Sequence, residues 1–386
     1  MGEFSYQGSE APAQRFRTLD GWRGICALLV AIGHFGFDDH FRYIPFVKNS
    51  YLCVDFFFVL SGFVISHAYA NRLRSTHDVQ FFIVRRFARL WPLHMVMLLA
   101  FLFLYLFTLR FPGLSTGFGN ISVGSFVSNV FMLHDLGLHD WLTWNYPSWS
   151  ISAEFYTYLA FAALAAICFI RLLPCAIVSA VGFLALMFFV PALIGSEHDY
   201  GVLRCLYGFF AGAFVWRLSS SVTVAAEWLT SLEVALVGAI GMLFIYAGST
   251  PLEITGPLFF APAVFVFSKQ GGLLSRVIGS RPMSALGDWS YSIYMVHAFI
   301  GVLFYDATIT VGAKFGVSIG PYTDLLTLAY ICIVIAVSAI SYRAIELPGQ
   351  RLIPQLAAKW RLFAHRQGPR DGLGDDSSIA SRAQPV

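Results

Sequence analysis

The sequence predicts an all-α, polytopic membrane protein: a bundle of about ten transmembrane helices with an amphipathic interfacial helix. Three observations predict it. Hydrophobic residues make up 57% of the 386 residues and charged residues only 12%, with 38 phenylalanines, whereas a soluble domain carries roughly 25% charge. Mean hydropathy is +0.68. Ten apolar blocks are long enough to cross a bilayer. With so little charge to cover so much apolar area, a soluble enzyme, a coiled coil, collagen and a disordered chain are excluded. The basic residues are dispersed between apolar blocks, so no nucleic-acid-binding surface is expected.

The chain opens with a polar tail, 1–18. No short apolar stretch with a small-residue cleavage site follows it, so no signal peptide is expected. The blocks are 19–37, 51–70, 91–109, 149–170, 175–194, 201–217, 231–248, 253–268, 285–306 and 322–345. The eighth is the weakest, broken by Pro257 and Pro262. Between the second and third spans, Val79 to Trp91 reads as the amphipathic helix. Arg85, Arg86 and Arg89 fall within about 100° of arc, and Phe81, Phe82, Phe87 and Leu90 lie on the other face. The segment 110–148 is a longer polar connection in which Phe126 to Leu133 reaches toward the interface. A transmembrane domain is expected over 19–353, and 354–386, basic and then rich in Gly, Ser, Asp and Ala, as a disordered tail.

Loop charge sets the expected orientation. With the N-terminus inside, ten spans bring the C-terminus inside, and 20 of the 25 lysines and arginines fall on the cytoplasmic side. Both termini are therefore expected in the cytoplasm of a cell membrane, the inner membrane in a bacterium. The six cysteines, Cys26, Cys53, Cys168, Cys175, Cys205 and Cys332, form no CxxC pair and read as small apolar residues rather than metal ligands or disulfides.

Ionisable groups inside a bilayer are costly and are functional candidates by default. Arg23 and His34 share the first span. Eleven residues apart, they lie within about 20° of one face and about 16 Å apart along the axis. That stripe suits a long anionic ligand, with its charge at Arg23 and its far end at His34. In the second span, Gly62 permits close helix packing, and Ser61 can bond a ligand or its own helix. The Arg85, Arg86 and Arg89 face suits anionic lipid headgroups or a phosphate-rich cofactor. Glu154 opens the fourth span. It can complement the helix dipole, bind a sugar hydroxyl, or orient His34 from a similar depth. In the ninth span Ser290, Tyr294 and His297 share a face that reads as bundle-lining.

Together these blocks resemble the acyltransferase 3 family of integral-membrane, acyl-CoA-dependent O-acyltransferases, from about Leu19 to about Leu352. Leu19-Asp20-Gly21-Trp22-Arg23-Gly24 with His34 resembles the family's Arg-x10-His element. Val54 to Phe63, including Asp55, resembles its second signature, and Arg86-Phe87-Ala88-Arg89 its Arg-x-x-Arg element. Trp149 to Tyr156, Asp288 to His297 and Tyr342 to Pro348 fit later blocks. The resemblance implies acyl transfer from acyl-CoA, acetyl-CoA first, to a hydroxyl of a cell-envelope or exported glycan, lipopolysaccharide or related molecule, without a metal. It implies His34 as catalytic histidine assisted by Glu154. Arg23, Arg86, Arg89 and Ser61 are expected at the cofactor, and Asp55, Tyr294 and His297 at the substrate. Relatives often carry two adjacent acids in the fourth-span block; here Glu154 stands alone. Some relatives also carry an extracytoplasmic hydrolase-like domain. The tail here is too short for one, so this chain is expected to present the acceptor itself or to hand the acyl group to an acyl-accepting or glycan-export partner. A transporter or flippase for an anionic lipid or glycan is the competing reading. The sequence shows no internal repeat, and its helix breaks are not a matched pair.

Overall fold

The structure, a computed structural model, describes residues 15–111, 121–168, 170–190, 197–248 and 250–367. The N-terminal tail before Arg15, residues 112–120 of the polar connection, and the tail after Gln367 lie outside the described residues. Among the described residues the fold is helical, with no strand. In chain order the helices are α1 (Arg17–Gly33), α2 (Pro45–Lys48), α3 (Leu52–Tyr69), α4 (Thr76–Arg110), α5 (Val123–Val130), α6 (Trp149–Cys168) and α7 (Leu172–Phe189). Then come α8 (Glu197–Ser219), α9 (Ala226–Tyr246), α10 (Gly256–Ser268), α11 (Leu273–Ile278), α12 (Arg281–Phe315), α13 (Thr323–Ser341) and α14 (Leu347–Gln367). A π-helical turn, Tyr342–Glu346, joins α13 to α14.

Nine helical segments among the described residues are long and apolar enough to cross a membrane. They match nine of the ten expected blocks. The first block is α1, whose 17 residues make about 26 Å of helix. The chain is a multi-pass, all-α membrane protein.

Three boundaries differ from expectation. The amphipathic helix is not a separate interfacial element. It is the first half of α4, which runs unbroken for 35 residues from a Ser75–Asp78 capping box, with Pro92 inside it. The switch from amphipathic to wholly apolar marks a change of surroundings, not of backbone. Second, α1 ends at Gly33, and His34 is its C-cap rather than an interior residue. Third, the tail expected to be disordered from 354 begins as helix: α14 runs from Leu347 to Gln367. The eighth block survives its prolines: Pro257 sits in the first turn of α10, where its missing N–H costs nothing.

Glycines set the helix spacing that positions the site. A Cβ at Gly21 would overlap the Ile278 carbonyl, one at Gly24 would crowd Leu286 and Gly287, and one at Gly287 would overlap the Asp20 carbonyl. α1 and α12 therefore pack almost backbone to backbone, running in the same direction. α3 and α8 meet likewise through Gly62 against Phe209 and Gly212 against Val59, as small residues allow inside a bilayer. Gly62→Ala is expected to force these helices apart and cost about 1–3 kcal/mol. A thermal-shift measurement in detergent should show a clear loss of stability. An unchanged midpoint would mean that the contact is not needed.

Candidate active site

The α1–α12 contact carries Arg23 and His34 on one face, as the spacing requires, and α12 answers each of them. At one end Arg23 donates to the Gly287 carbonyl (Nη2, 2.7 Å) and to Ser290 Oγ (Nε, 2.8 Å). At the other end His34 meets His297: Nδ1 of His34 lies 3.2 Å from Nε2 of His297, and the rings stack 5.2 Å apart at 20°. His297 Nδ1 lies 3.3 Å from the Ile293 carbonyl oxygen of its own helix. A carbonyl only accepts, so Nδ1 of His297 carries its proton, and Nε2 of the neutral ring is the acceptor. His34 Nδ1–H then donates to it, which leaves His34 Nε2 as a bare lone pair. His297 is fully buried, whereas His34 keeps exposed surface. The inner histidine sets the tautomer and the outer one presents the base.

Two tyrosines hold this pair. The Tyr330 hydroxyl lies 3.2 Å from the Ala31 carbonyl and 3.1 Å from that of His297, bridging the two helices. Phe35, just after His34, stacks on the Tyr330 ring at 4.0 Å, which fixes the chain where it leaves α1. Tyr146 packs edge-on against His34 at 5.2 Å. Its neighbour Asn145 donates to the Met295 carbonyl at 3.1 Å, and Trp144 before it holds φ 51°, an uncommon conformation for a bulky residue that recurs near functional sites.

A cavity of about 150 Å³ runs from Tyr294 toward the Arg23 end, lined by α1, α3, α4, α6 and α12. Its lining extends along α3 from Val54 to Ile65, a rise of about 16 Å. Near the histidines it is closed by Tyr294, whose hydroxyl accepts from Ser150 Oγ at 2.8 Å and whose ring lies 5.8 Å from that of His297. At the other end Arg86 and Arg89 enter it. Along one wall runs a chain of polar contacts: the Ser61 and Tyr158 hydroxyls are 3.0 Å apart, and Tyr158 donates to Glu154 at 2.6 Å. The two arginines differ. Arg89 is ion-paired with the buried Glu346 of the π turn, and Glu346 also accepts from Ser292 at 3.0 Å. Arg86 faces the rings of Tyr69, Phe82 and Tyr158, and its Nε is buried without a partner.

The structure thus gathers Arg23, Ser61, Arg86, Arg89, Glu154 and Tyr294 around one cavity, with His34 and His297 just beyond Tyr294. Two expectations change. The partner on the His34 ring nitrogen is His297, not Glu154, which lies on the arginine side bonded to Tyr158. Asp55 does not line the cavity. It is 1% exposed and forms a two-pronged ion pair with Arg204 of α8, at 2.7 and 2.8 Å, while Arg204 lies over the Trp149 ring. The cationic face also divides: Arg85 points outward onto Phe81. Sequence reasoning missed Tyr146, Tyr158, Tyr330 and Glu346. A lone hydroxyl in an apolar span was the only signal for Tyr330, and Glu346 sat inside a noted block without a role. Cys26, Cys53 and Cys205 are buried free thiols and Cys332 an exposed one.

Fold and site define a multi-pass membrane protein with a buried histidine pair beside an arginine-lined cavity inside the bundle. The chain belongs to the acyltransferase 3 family: the family model, described as an acyltransferase domain, matches residues 16–343. It is 44% identical over 109 residues to protein 2 in the picA locus of Rhizobium radiobacter, covering 28% of this chain and 54% of that one. It is 26% identical over 312 residues to the peptidoglycan O-acetyltransferase OatA of Listeria monocytogenes, covering 72% and 48%. BcsY of Komagataeibacter xylinus, named as a membrane-bound transacylase, is 26% identical over 297 residues, covering 74% and 73%. The chain thus spans about half the length of the first two relatives. No solved structure matches it.

Proposed function

We propose that the protein is an acyl-CoA-dependent O-acyltransferase that moves an acyl group, acetyl first, to a hydroxyl of a cell-envelope or exported glycan. One observation carries the reading. A histidine whose free Nε2 is set by a second, buried histidine lies just beyond Tyr294, which lines one end of a cavity, and arginines stand at the other end. Arginine forks suit phosphates, and the cavity between suits an extended thioester arm. The acceptor hydroxyl gives its proton to His34 Nε2 while its oxygen attacks the thioester carbonyl carbon. The C–S bond breaks, the ester forms, and the thiolate leaves to be protonated as CoA. His297 accepts the His34 Nδ1–H hydrogen bond throughout and stabilises the imidazolium. OatA, a peptidoglycan O-acetyltransferase, supports a glycan acceptor and an acetyl donor.

Purified protein supplied with radiolabelled acetyl-CoA and isolated envelope glycan should label the glycan, and cells lacking the gene should lose that ester by mass spectrometry. Label that reaches no glycan in either experiment overturns the proposal. Arg86→Ala is expected to weaken acetyl-CoA binding about tenfold or more, since a charge-assisted phosphate contact is worth about 1.5–3 kcal/mol. It should do so without loss of folding, because among the described residues no carboxylate is paired with Arg86. Calorimetric titration checks this, and unchanged affinity would move the phosphates elsewhere. The loop-charge bias puts the arginine end and both termini in the cytoplasm. Reporters fused at Gly137 and at the C-terminus should then lie on opposite sides; reporters on one side would reverse the orientation or the span count.

A further inference from the structure

Arg86 and Arg89 also form one rim of a second space of about 500 Å³, between the first half of α4 and α14. α4 is 35 residues long, about 52 Å, against about 30 Å of hydrocarbon. Its apolar part begins near Leu90, so this cleft lies beyond the hydrocarbon at the arginine end. α4 supplies Phe81 and Arg85 to it, and α14 supplies Gln350, Arg351, Pro354 and Gln355. α14 can come this close because a Cβ at Gly349 would crowd Pro92.

The charge in the cleft is unbalanced. Arg85, Arg86, Arg89 and Arg351 line it, and the only carboxylate paired with any of them among the described residues is Glu346, on Arg89. Arg85 and Arg351 are exposed. Like charges held together without counter-charge mark an anion site. The position of the cleft, beyond the apolar part of α4 and sharing Arg86 and Arg89 with the cavity, selects the anion. We infer that this cleft seats the 3′-phosphate and diphosphate of the CoA nucleotide, with Arg351 and Arg85 on the outer phosphate and Arg86 where the arm enters the cavity. The proposal rests on the acyl-CoA reading and adds α14 to the donor site. A net charge near +3 faces a head group carrying about four negative charges, because a phosphomonoester contributes roughly −1.5 to −2 at neutral pH. The exposed Phe81, with Arg85 lying 4.4 Å over its ring, gives the adenine a stacking face.

Acetyl-CoA and S-acetyl-pantetheine, which lacks the nucleotide, separate the possibilities. Each is assayed with wild type and with Arg351→Glu in nanodiscs of zwitterionic lipid. The ratio of kcat/KM for acetyl-CoA to that for acetyl-pantetheine is expected to fall at least tenfold in Arg351→Glu, with a further fall in Arg85→Glu/Arg351→Glu. A ratio equal to wild type, whether both donors decline together or neither does, overturns the nucleotide seat. A fall seen only when anionic lipid is added assigns the cleft to lipid headgroups and also overturns it. If wild type uses neither donor, the acyl-CoA reading itself fails, a result distinct from either of these.

Discussion

A His34→Gln protein is expected to fold, to bind acetyl-CoA with wild-type affinity, and to transfer the acyl group about 10²–10⁴-fold more slowly, the usual worth of a positioned general base. Glutamine can keep one hydrogen bond toward His297 and fill similar space, so a merely structural histidine would tolerate it. An amide cannot take up the acceptor's proton. His297 should give a graded response. His297→Gln retains an acceptor for the His34 Nδ1–H and should keep part of the rate; His297→Leu leaves His34 without tautomer control and should lose most of it. The measurement is kcat at saturating donor on protein that stays monodisperse. Activity within a few-fold of wild type in His34→Gln would remove this residue from the chemistry, and Glu154 would be the next base to test.

The second large effect is on folding. Asp55→Ala should strip the partner from a guanidinium that is only 2% exposed, which costs about 3–5 kcal/mol for a broken buried pair. Total stability is commonly about 5–15 kcal/mol, so the expected outcome is protein that accumulates poorly and aggregates on extraction. Asp55→Ala combined with Arg204→Met should recover much of the loss, because a matched apolar pair replaces an orphaned charge. This separates the buried-pair role from the substrate-binding role that the signature around Asp55 implied. A substrate ligand would give Asp55→Ala protein with wild-type melting behaviour and an altered KM for the acceptor.

Composition and block length were enough for the membrane-spanning architecture, since no other arrangement hides so much apolar surface. The helical phase of residues 23 and 34 was enough to put Arg23 and His34 on one face. What that face met was not legible. Nothing local in the sequence says that residue 34 pairs with residue 297, because the register of α1 against α12 is set by which glycine fits under which carbonyl. The same gap explains Glu154 and Asp55. An intramembrane carboxylate signals that a partner exists but not which one, and here the partners were Tyr158 and Arg204. The α4 boundary was misplaced for another reason: periodicity reports the surroundings of a helix, and α4 leaves the bilayer without changing its backbone.

The π turn at Tyr342–Glu346 stands between two α-helical stretches. A π turn accommodates about one residue more than the α turn it replaces. Removing one residue there, Ala344 for example, would let the segment relax to a plain α turn while α14 keeps its phase relative to α13. Glu346 and Arg351 both follow Ala344 and would keep their places against Arg89 and the α4 cleft. A deletion in the α-helix on either side would instead wind α14 by about 100°. A scan of one-residue deletions through 338–350 would read the turn as slack in the chain: the five positions of the turn should tolerate a lost residue and their flanks should not.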